Sequence, residues 1–352
     1  MSKQIRTGIA GFGMSARLFH APFIAADPRF TLAKVLQRTG DDAARLYPGT
    51  QVVRSFEELL TDDIDLVVLC TPNPLHFAQA EQALRAGKAV VCEKPVTATA
   101  GEARELVRLA QERGVLFTVY QNRRWDGDFL TVRRLVEDGT LGEVLEYRAR
   151  FDRFVTGVSK KPWKAAGGEG VDVLYDLGIH LIDQACVLFG MPEEVYADLE
   201  KQRPESGGID NFWITLYYGD KKAVLSAGEV IAMPGPHFEV HGRKGSYLKY
   251  GMDPQGRALS LGLIPGQPLP SGLGWGEEES AAWGTLALAG PDGITRQALP
   301  TLAGHYGAFY NGLYEALTAG APLPVDPASC VDALRVLEAA RKSAACGSRV
   351  RL

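Results

Sequence analysis

The sequence predicts an α/β protein of two domains: a doubly wound parallel sheet at the N-terminus, then an α/β domain built on a large, mostly antiparallel open sheet. Three observations carry this. A glycine-rich turn, Gly11-Phe12-Gly13-Met14-Ser15-Ala16, joins a short apolar strand to a helical pattern. Strands then alternate with helices as far as Tyr120, which is the mark of a parallel sheet. Beyond about residue 123, strands follow one another through glycine-containing turns such as Tyr218-Gly219-Asp220, as antiparallel or mixed sheets do. The division expected is between 1–122 and 123–352.

The first strand, Arg6 to Ala10, leads into a GxGxxA turn and a helix from Arg17 to Ala26. This is the Rossmann arrangement, in which the first glycine permits the tight turn and the second lets the backbone approach a pyrophosphate. The small third residue allows close helix packing, and the helix N-terminus attracts phosphate charge. Gly11, Phe12, Gly13, Met14 and Ser15 are therefore candidate cofactor contacts. A second strand, Phe30 to Leu36, ends about 20 residues later, as the fingerprint requires. NAD enzymes place a carboxylate there for the ribose 2′-hydroxyl, whereas this chain has Gln37-Arg38-Thr39-Gly40. A guanidinium beside a hydroxyl suits a 2′-phosphate, so Arg38 and Thr39 point to NADP, with NAD possible if Arg38 only stacks on adenine.

Helix Ser55 to Leu60, strand Asp65 to Leu69, helix Pro74 to Ala86, strand Ala89 to Cys92, helix Ala100 to Arg113 and strand Leu116 to Tyr120 continue the alternation. Thr71, Pro72 and Asn73 stand at a strand's carboxyl end, where open α/β sheets bind their ligands. His76, in the next helical turn, is either a cofactor contact or a cap. Glu93-Lys94-Pro95 ends another apolar strand. Proline fixes φ and can follow a cis bond, so the Lys94 amine is held at the ligand-binding edge. Glu93, Lys94 and Asn122 are further cofactor candidates.

In the second half a helix, Phe129 to Asp138, precedes strands Val144 to Phe154, Val195 to Arg203, Phe212 to Tyr218, Ala223 to Val230, Phe238 to His241 and Tyr247 to Tyr250. Residues 253–300, rich in Gly and Pro, read as an irregular excursion, and helices Tyr306 to Thr318 and Pro327 to Ala345 close the chain. One helix, Val171 to Phe189, interrupts the strands. Asp176, His180 and Asp183 share a face of it at i, i+4 and i+7. Gly178 in mid-helix points to close packing against a ligand or backbone.

Together, Gly11-Phe12-Gly13-Met14-Ser15-Ala16, Glu93-Lys94-Pro95 and Asp176-Leu177-Gly178-Ile179-His180 resemble the Gfo/Idh/MocA oxidoreductase family over essentially the whole chain. Phe19-His20-Ala21-Pro22, Asn122-Arg123-Arg124-Trp125-Asp126 with Asp128-Phe129-Leu130-Thr131, and Leu174-Tyr175-Asp176-Leu177-Gly178 look most like its NADP-dependent scyllo-inositol dehydrogenase subgroup. The resemblance implies no metal, an open C-terminal sheet that assembles homodimers or homotetramers, and a catalytic trio of Lys94, Asp176 and His180. The chain departs from the subgroup at Gln121, where histidine is usual, at Asp172, where glycine is usual, and at Val155, where an arginine is usual.

The expected chemistry is hydride transfer between NADP and a secondary alcohol of a cyclic polyol or sugar. His180 serves as general base, Asp176 orients it or holds a neighbouring hydroxyl, and Lys94 stabilises the developing alkoxide. Tyr120, Arg153, Trp163 and Asp183 are further candidates for binding the polyol. Alternatives are reduction of another sugar or small carbonyl compound, and a dinucleotide sensor without turnover. With 352 residues, 46% hydrophobic, 23% charged and a net charge of −4, the chain lacks the basic surplus of nucleic-acid binders. It has no membrane-length apolar run and no signal region, so a cytoplasmic protein is expected. Its five cysteines include no CxxC and read as buried, reduced thiols.

Overall fold

The computed structural model describes residues 4–157, 170–265, 267 and 269–352. They form two compact units. One comprises 1–122, 255–267 and 306–331, and the other 123–254, 268–305 and 332–352. By compactness, two segments from beyond residue 122 thus belong with the N-terminal unit.

The first unit is built on a parallel sheet of β1 (Ile5–Ala10), β2 (Phe30–Leu36), β3 (Gln51–Val53), β4 (Leu66–Leu69), β5 (Ala89–Cys92) and β6 (Phe117–Val119), in the order β3-β2-β1-β4-β5-β6. β4 and β5 are buried along their whole length, which is why they read as unbroken apolar runs. The order reverses direction between β1 and β4, and the crevice at such a switch point is where open sheets bind dinucleotides. The helix Ala100–Arg113 shows how local chemistry sets a boundary. Thr99 and Glu102 close a capping box at its start, and Gly114 ends it at φ 63°. The late segments add to this core: Thr118 donates to the Val325 carbonyl (2.7 Å) and the Tyr306 amide to Gln255 Oε1 (2.8 Å).

Three elements here differ from expectation. Ser55 to Leu60 is not a helix but a single 3-10 turn, Glu57–Leu59. The Arg54 and Ser55 amides both donate to Glu58 Oε1 (3.0 and 2.9 Å), so one side chain satisfies the donors that further turns would need. The short helix Asp42–Leu46 and the edge strand β3 are too brief to show a period.

The second unit holds a nine-stranded sheet of β7 (Val144–Arg150), β8 (Glu194–Glu200), β9 (Asn211–Tyr218), β10 (Lys221–Gly228), β11 (Phe238–Gly242), β12 (Gly245–Lys249), β13 (Gly284–Gly290), β14 (Gly293–Leu299) and β15 (Val350–Arg351), in the order β14-β13-β12-β11-β7-β10-β9-β8-β15. Only the β7–β10 pair is parallel. Tyr147 and Phe238 pack their rings against Phe129 of the helix Gly127–Glu137 and Phe189 of the helix Ile179–Phe189. Residues 253–300 are not irregular throughout: they include the helix Gln255–Ser260 and the β13–β14 hairpin, which turns through Pro291 and Asp292. β14 is an exposed edge strand, so it carries no apolar alternation to reveal it. Of the cysteines, only Cys92 and Cys330 are buried, and Cys346 is exposed.

At the start of the helix Gly127–Glu137 the chain passes so close to residues 302–304 that a Cβ on Gly127 would overlap the Leu302 carbonyl oxygen. Backbone cannot yield cheaply, so Gly127→Ala should destabilise the protein by about 3 kcal/mol. Urea unfolding should show a lower midpoint at unchanged m-value, and an unchanged midpoint would refute the close approach.

Candidate active site

The loops at the carboxyl ends of β1, β2, β4 and β5 hold most of the residues expected to contact the cofactor. Gly11 sits at φ 90°, and a Cβ there would stand 3.0 Å from the Cys70 carbonyl oxygen. Only glycine allows β1 and β4 to approach so closely at the switch point. A Cβ on Gly13 would meet nothing within 4 Å, so the backbone there has open space in front of it. The helical segment Ala16–His20 follows, with the Arg17 amide bonded to the Gly13 carbonyl (3.1 Å) and Ala16 fully buried. A pyrophosphate fits this cradle.

The turn after β2 is shaped by a residue that the sequence reading missed. Arg54 donates to the carbonyls of Gln37 (2.6 Å) and Gly40 (2.8 Å) and to Asp41 Oδ1 (2.6 Å). The second nearby carboxylate, Asp42, pairs with Arg17 (3.2 Å) and Arg45. Both carboxylates are therefore engaged by guanidinium groups. Arg38 and Thr39 are exposed and make no side-chain bond among the described residues. A single arginine after a three-residue strand gave no sequence signal for this role.

Glu93, expected as a cofactor contact, spends its carboxylate on the protein. Oε1 accepts from Ser15 and lies 3.0 Å from His20 Nε2, and Oε2 accepts the Lys94 amide (3.0 Å). His20 is fully buried, with Nδ1 2.7 Å from the Tyr310 hydroxyl and its ring 4.2 Å from that of Tyr120. Burial works to raise the Glu93 carboxyl, but the His20 hydrogen bond and charge, with Ser15 and Lys94, bring it below the ordinary carboxylate value. His76 is also fully buried. Its Nδ1 lies 2.8 Å from the Pro95 carbonyl and its Nε2 3.0 Å from the Thr71 carbonyl, so the ring braces the turn after β4 against the turn carrying Lys94. Thr71 itself donates to Gln79 (2.6 Å). The Lys94–Pro95 bond is cis, and Lys94 is half-buried. Tyr120 is a core residue whose hydroxyl donates to the Phe19 carbonyl (2.9 Å).

In the second unit Asp176 lies in a widened turn, Leu174–Gly178, that runs into the helix Ile179–Phe189. Asp176 is half-buried and His180 is 5% exposed. Asp172 begins this segment: it accepts the Tyr175 amide (3.2 Å) and pairs with Arg341 (3.1 Å), so this departure from the subgroup caps the helix that bears His180. The protein atoms nearest a Cβ on Gly178 belong to the side chains of Leu174 and Phe212, not to backbone. Asp183 is held by Arg124 through two bonds (2.8 and 2.6 Å), a fork that leaves it a structural ion pair. Arg153 is exposed, Asn122 is buried, and Trp163 lies outside the described residues. Among the described residues, no cluster of His, Cys, Asp and Glu is placed to hold a metal ion, and no helix is long and apolar enough to cross a membrane.

Residues 5–121 match the family model described as "Oxidoreductase family, NAD-binding Rossmann fold", and residues 133–352 match its partner, "Oxidoreductase family, C-terminal alpha/beta domain". The chain belongs to the Gfo/Idh/MocA oxidoreductase family. Its first unit is an NAD(P)-binding Rossmann domain. This oxidoreductase is 37% identical over 341 residues, 96% of its own length and 93% of the relative's, to scyllo-inositol 2-dehydrogenase (NADP(+)) IolW of Bacillus subtilis. It is 29% identical over 276 residues, 73% and 79% of the two chains, to inositol 2-dehydrogenase of Rhizobium meliloti. The solved structure of the oxidoreductase yvaA from Bacillus subtilis superposes with a TM-score of 0.95 at 35% identity, covering 100% of this chain and 99% of that one.

Because the folded-state pKa of Glu93 lies below its ordinary value of 4.5, the stability it adds is present above that value and lost as the pH falls through the folded one. Glu93→Gln should be about 1–3 kcal/mol less stable than the parent at neutral pH, with the gap closing in acid below pH 4.5. Denaturation midpoints across pH measure this, and a gap independent of pH would rule out the ionised carboxylate.

Proposed function

We propose that this oxidoreductase transfers a hydride between NADP and a secondary alcohol carbon of a cyclic polyol or sugar, with Lys94, Asp176 and His180 as its catalytic residues. The observation that carries the cofactor reading is the turn after β2, where Arg54, Arg17 and Arg45 engage the carboxylates of Asp41 and Asp42 while Arg38 stays exposed. An exposed guanidinium with its neighbouring negative charge neutralised suits a 2′-phosphate. Gly11, Phe12, Gly13, Met14 and Ser15 would hold the pyrophosphate, with Thr39 beside Arg38 and with Thr71, Pro72, Asn73 and Asn122 toward the nicotinamide. When bound, NADP supplies the carbon that accepts the hydride. His180 takes the hydroxyl proton, since imidazole titrates near neutrality, and Asp176 orients the ring or a neighbouring hydroxyl. Lys94 donates to the reacting oxygen and stabilises its developing charge.

The polyol reading is supported by the inositol dehydrogenases among the relatives. A second reading, another sugar or small carbonyl compound, is favoured by Gln121, whose buried Oε1 has no partner among the described residues, and by Asp172. Half-exposed Trp213 on β9 and exposed Ile294 on β14 support assembly of a homodimer or homotetramer through the second unit's sheet.

Lys94→Ala and His180→Ala should each lower kcat by about 10²-fold or more at nearly unchanged cofactor affinity. Steady-state assays with a panel of inositols and aldoses measure this, and near-normal turnover removes the residue from the mechanism. A parent that binds dinucleotide without turning over any member of the panel would return the polyol reading to a sensor.

Arg38→Ala should weaken NADP about ten- to a hundredfold while changing NAD little. The ratio of kcat/KM for the two cofactors at one ionic strength is the measurement. Equal weakening of both would leave Arg38 an adenine platform.

A further inference from the structure

The segment Arg123–Asp128 is tied to the helix that bears His180. Arg124 clamps Asp183, one turn beyond His180, and Gln184 donates to the Arg123 carbonyl (3.0 Å). A second line of contacts reaches the imidazole itself. Phe151 meets the His180 ring edge to face, with centroids 6.4 Å apart at 87°, and its own faces are occupied by the Arg123 guanidinium (5.1 Å) and the His237 ring, stacked at 4.8 Å.

His237 is buried, with Nδ1 2.7 Å from the Arg150 carbonyl. A carbonyl only accepts, so Nδ1 carries a proton. Nε2 lies 3.6 Å from Asp128 Oδ2, just beyond hydrogen-bond reach, and both atoms are buried with no hydrogen-bond partner among the described residues. Two lone pairs would repel there, so one of the two atoms must bear a proton. Burial, then Arg123 and Lys249, hold the imidazole down to about 3 and hence neutral. Burial, then the charges of Asp126 and Asp253, push Asp128 well above the carboxylate range, against the pull of Lys249. Tyr147 and Tyr247 also face Asp128. The proton therefore sits on the carboxyl.

We propose that Asp128 is a neutral carboxylic acid that closes this 3.6 Å gap to donate to His237 Nε2, and that the bond so formed holds His237 against Phe151, making the three residues a positioning relay for His180. The proposal rests on His180 as the general base. It differs from an ion pair in what it demands of residue 128: a donor, not a charge.

Two experiments on the full-length protein test it. In ¹⁵N-histidine-labelled parent, His237 should remain the neutral Nδ1–H tautomer from about pH 5 to about pH 9. Titration in that range, or a proton on Nε2, overturns the proposal without any variant having to fold. Asp128→Asn, whose amide N–H replaces the carboxyl O–H, should leave the His180 signals in place and kcat within about twofold of the parent. Asp128→Leu and Phe151→Leu should move the His180 titration and lower kcat about tenfold or more at unchanged cofactor KM. If Asp128→Asn is as damaging as Asp128→Leu, the group is an ionised carboxylate and the relay fails. A His180→Ala variant with normal turnover would end the general-base reading alone, because the imidazole signals still decide the relay.

Discussion

The first unit depends on one buried carboxylate. Placing a charge inside a protein costs several kcal/mol unless hydrogen bonds and an opposite charge compensate it, and Glu93 has Ser15, His20 and the Lys94 amide around it. Those partners come from the glycine-rich loop, from the helical segment behind it and from the turn after β5. One side chain thus fixes three pieces of backbone that must keep a common geometry to hold a dinucleotide. His76 stands on the other side, its ring between the carbonyls of Thr71 and Pro95. Lys94 is consequently carried on a turn braced both through its own amide and through the carbonyl of the residue after it.

The second unit solves a related problem differently. Its long sheet supplies the apolar bulk, while the helix bearing His180 is secured by polar side chains at three levels. Asp172 caps its start, Arg124 grips Asp183, and Gln184 reaches the Arg123 carbonyl. Such contacts add modestly to stability, yet buried polar groups are costly to leave unmatched, so they penalise every helix position but one. An imidazole serving as the proposed general base would gain from that restriction, since small displacements cost large factors in rate.

The fold was legible in the sequence where burial is two-sided or periodic. β4 and β5 read as apolar runs, Gly11 and Gly13 fell in their strand-to-helix context, and Ala100–Arg113 carried its own cap and terminator. Legibility failed where tertiary contacts rather than local pattern decide the structure. β14 is an exposed edge strand, β15 has two residues, and Ser55 to Leu60 is closed as one turn by a glutamate side chain. At the candidate site, residues whose types carry an intrinsic chemical signature, such as Lys94 and His180, stood out in the sequence as candidates. Those whose roles depend on a distant backbone, such as Arg54 and His237, carry no local mark. Tyr120 and Asp183, which look chemically available in the sequence, have polar groups engaged by the Phe19 carbonyl and by Arg124.

The turn after β2 separates two duties that one residue could have combined. Arg54 maintains its shape through main-chain carbonyls, whatever side chain stands at Arg38. If Arg38 meets the 2′-phosphate as proposed, discrimination between dinucleotides can drift, by single substitutions at an exposed position, without the loop having to be rebuilt each time. On that proposal, a lineage carrying this turn has cofactor choice as a trait it can revise cheaply, which is a property of evolvability rather than of catalysis.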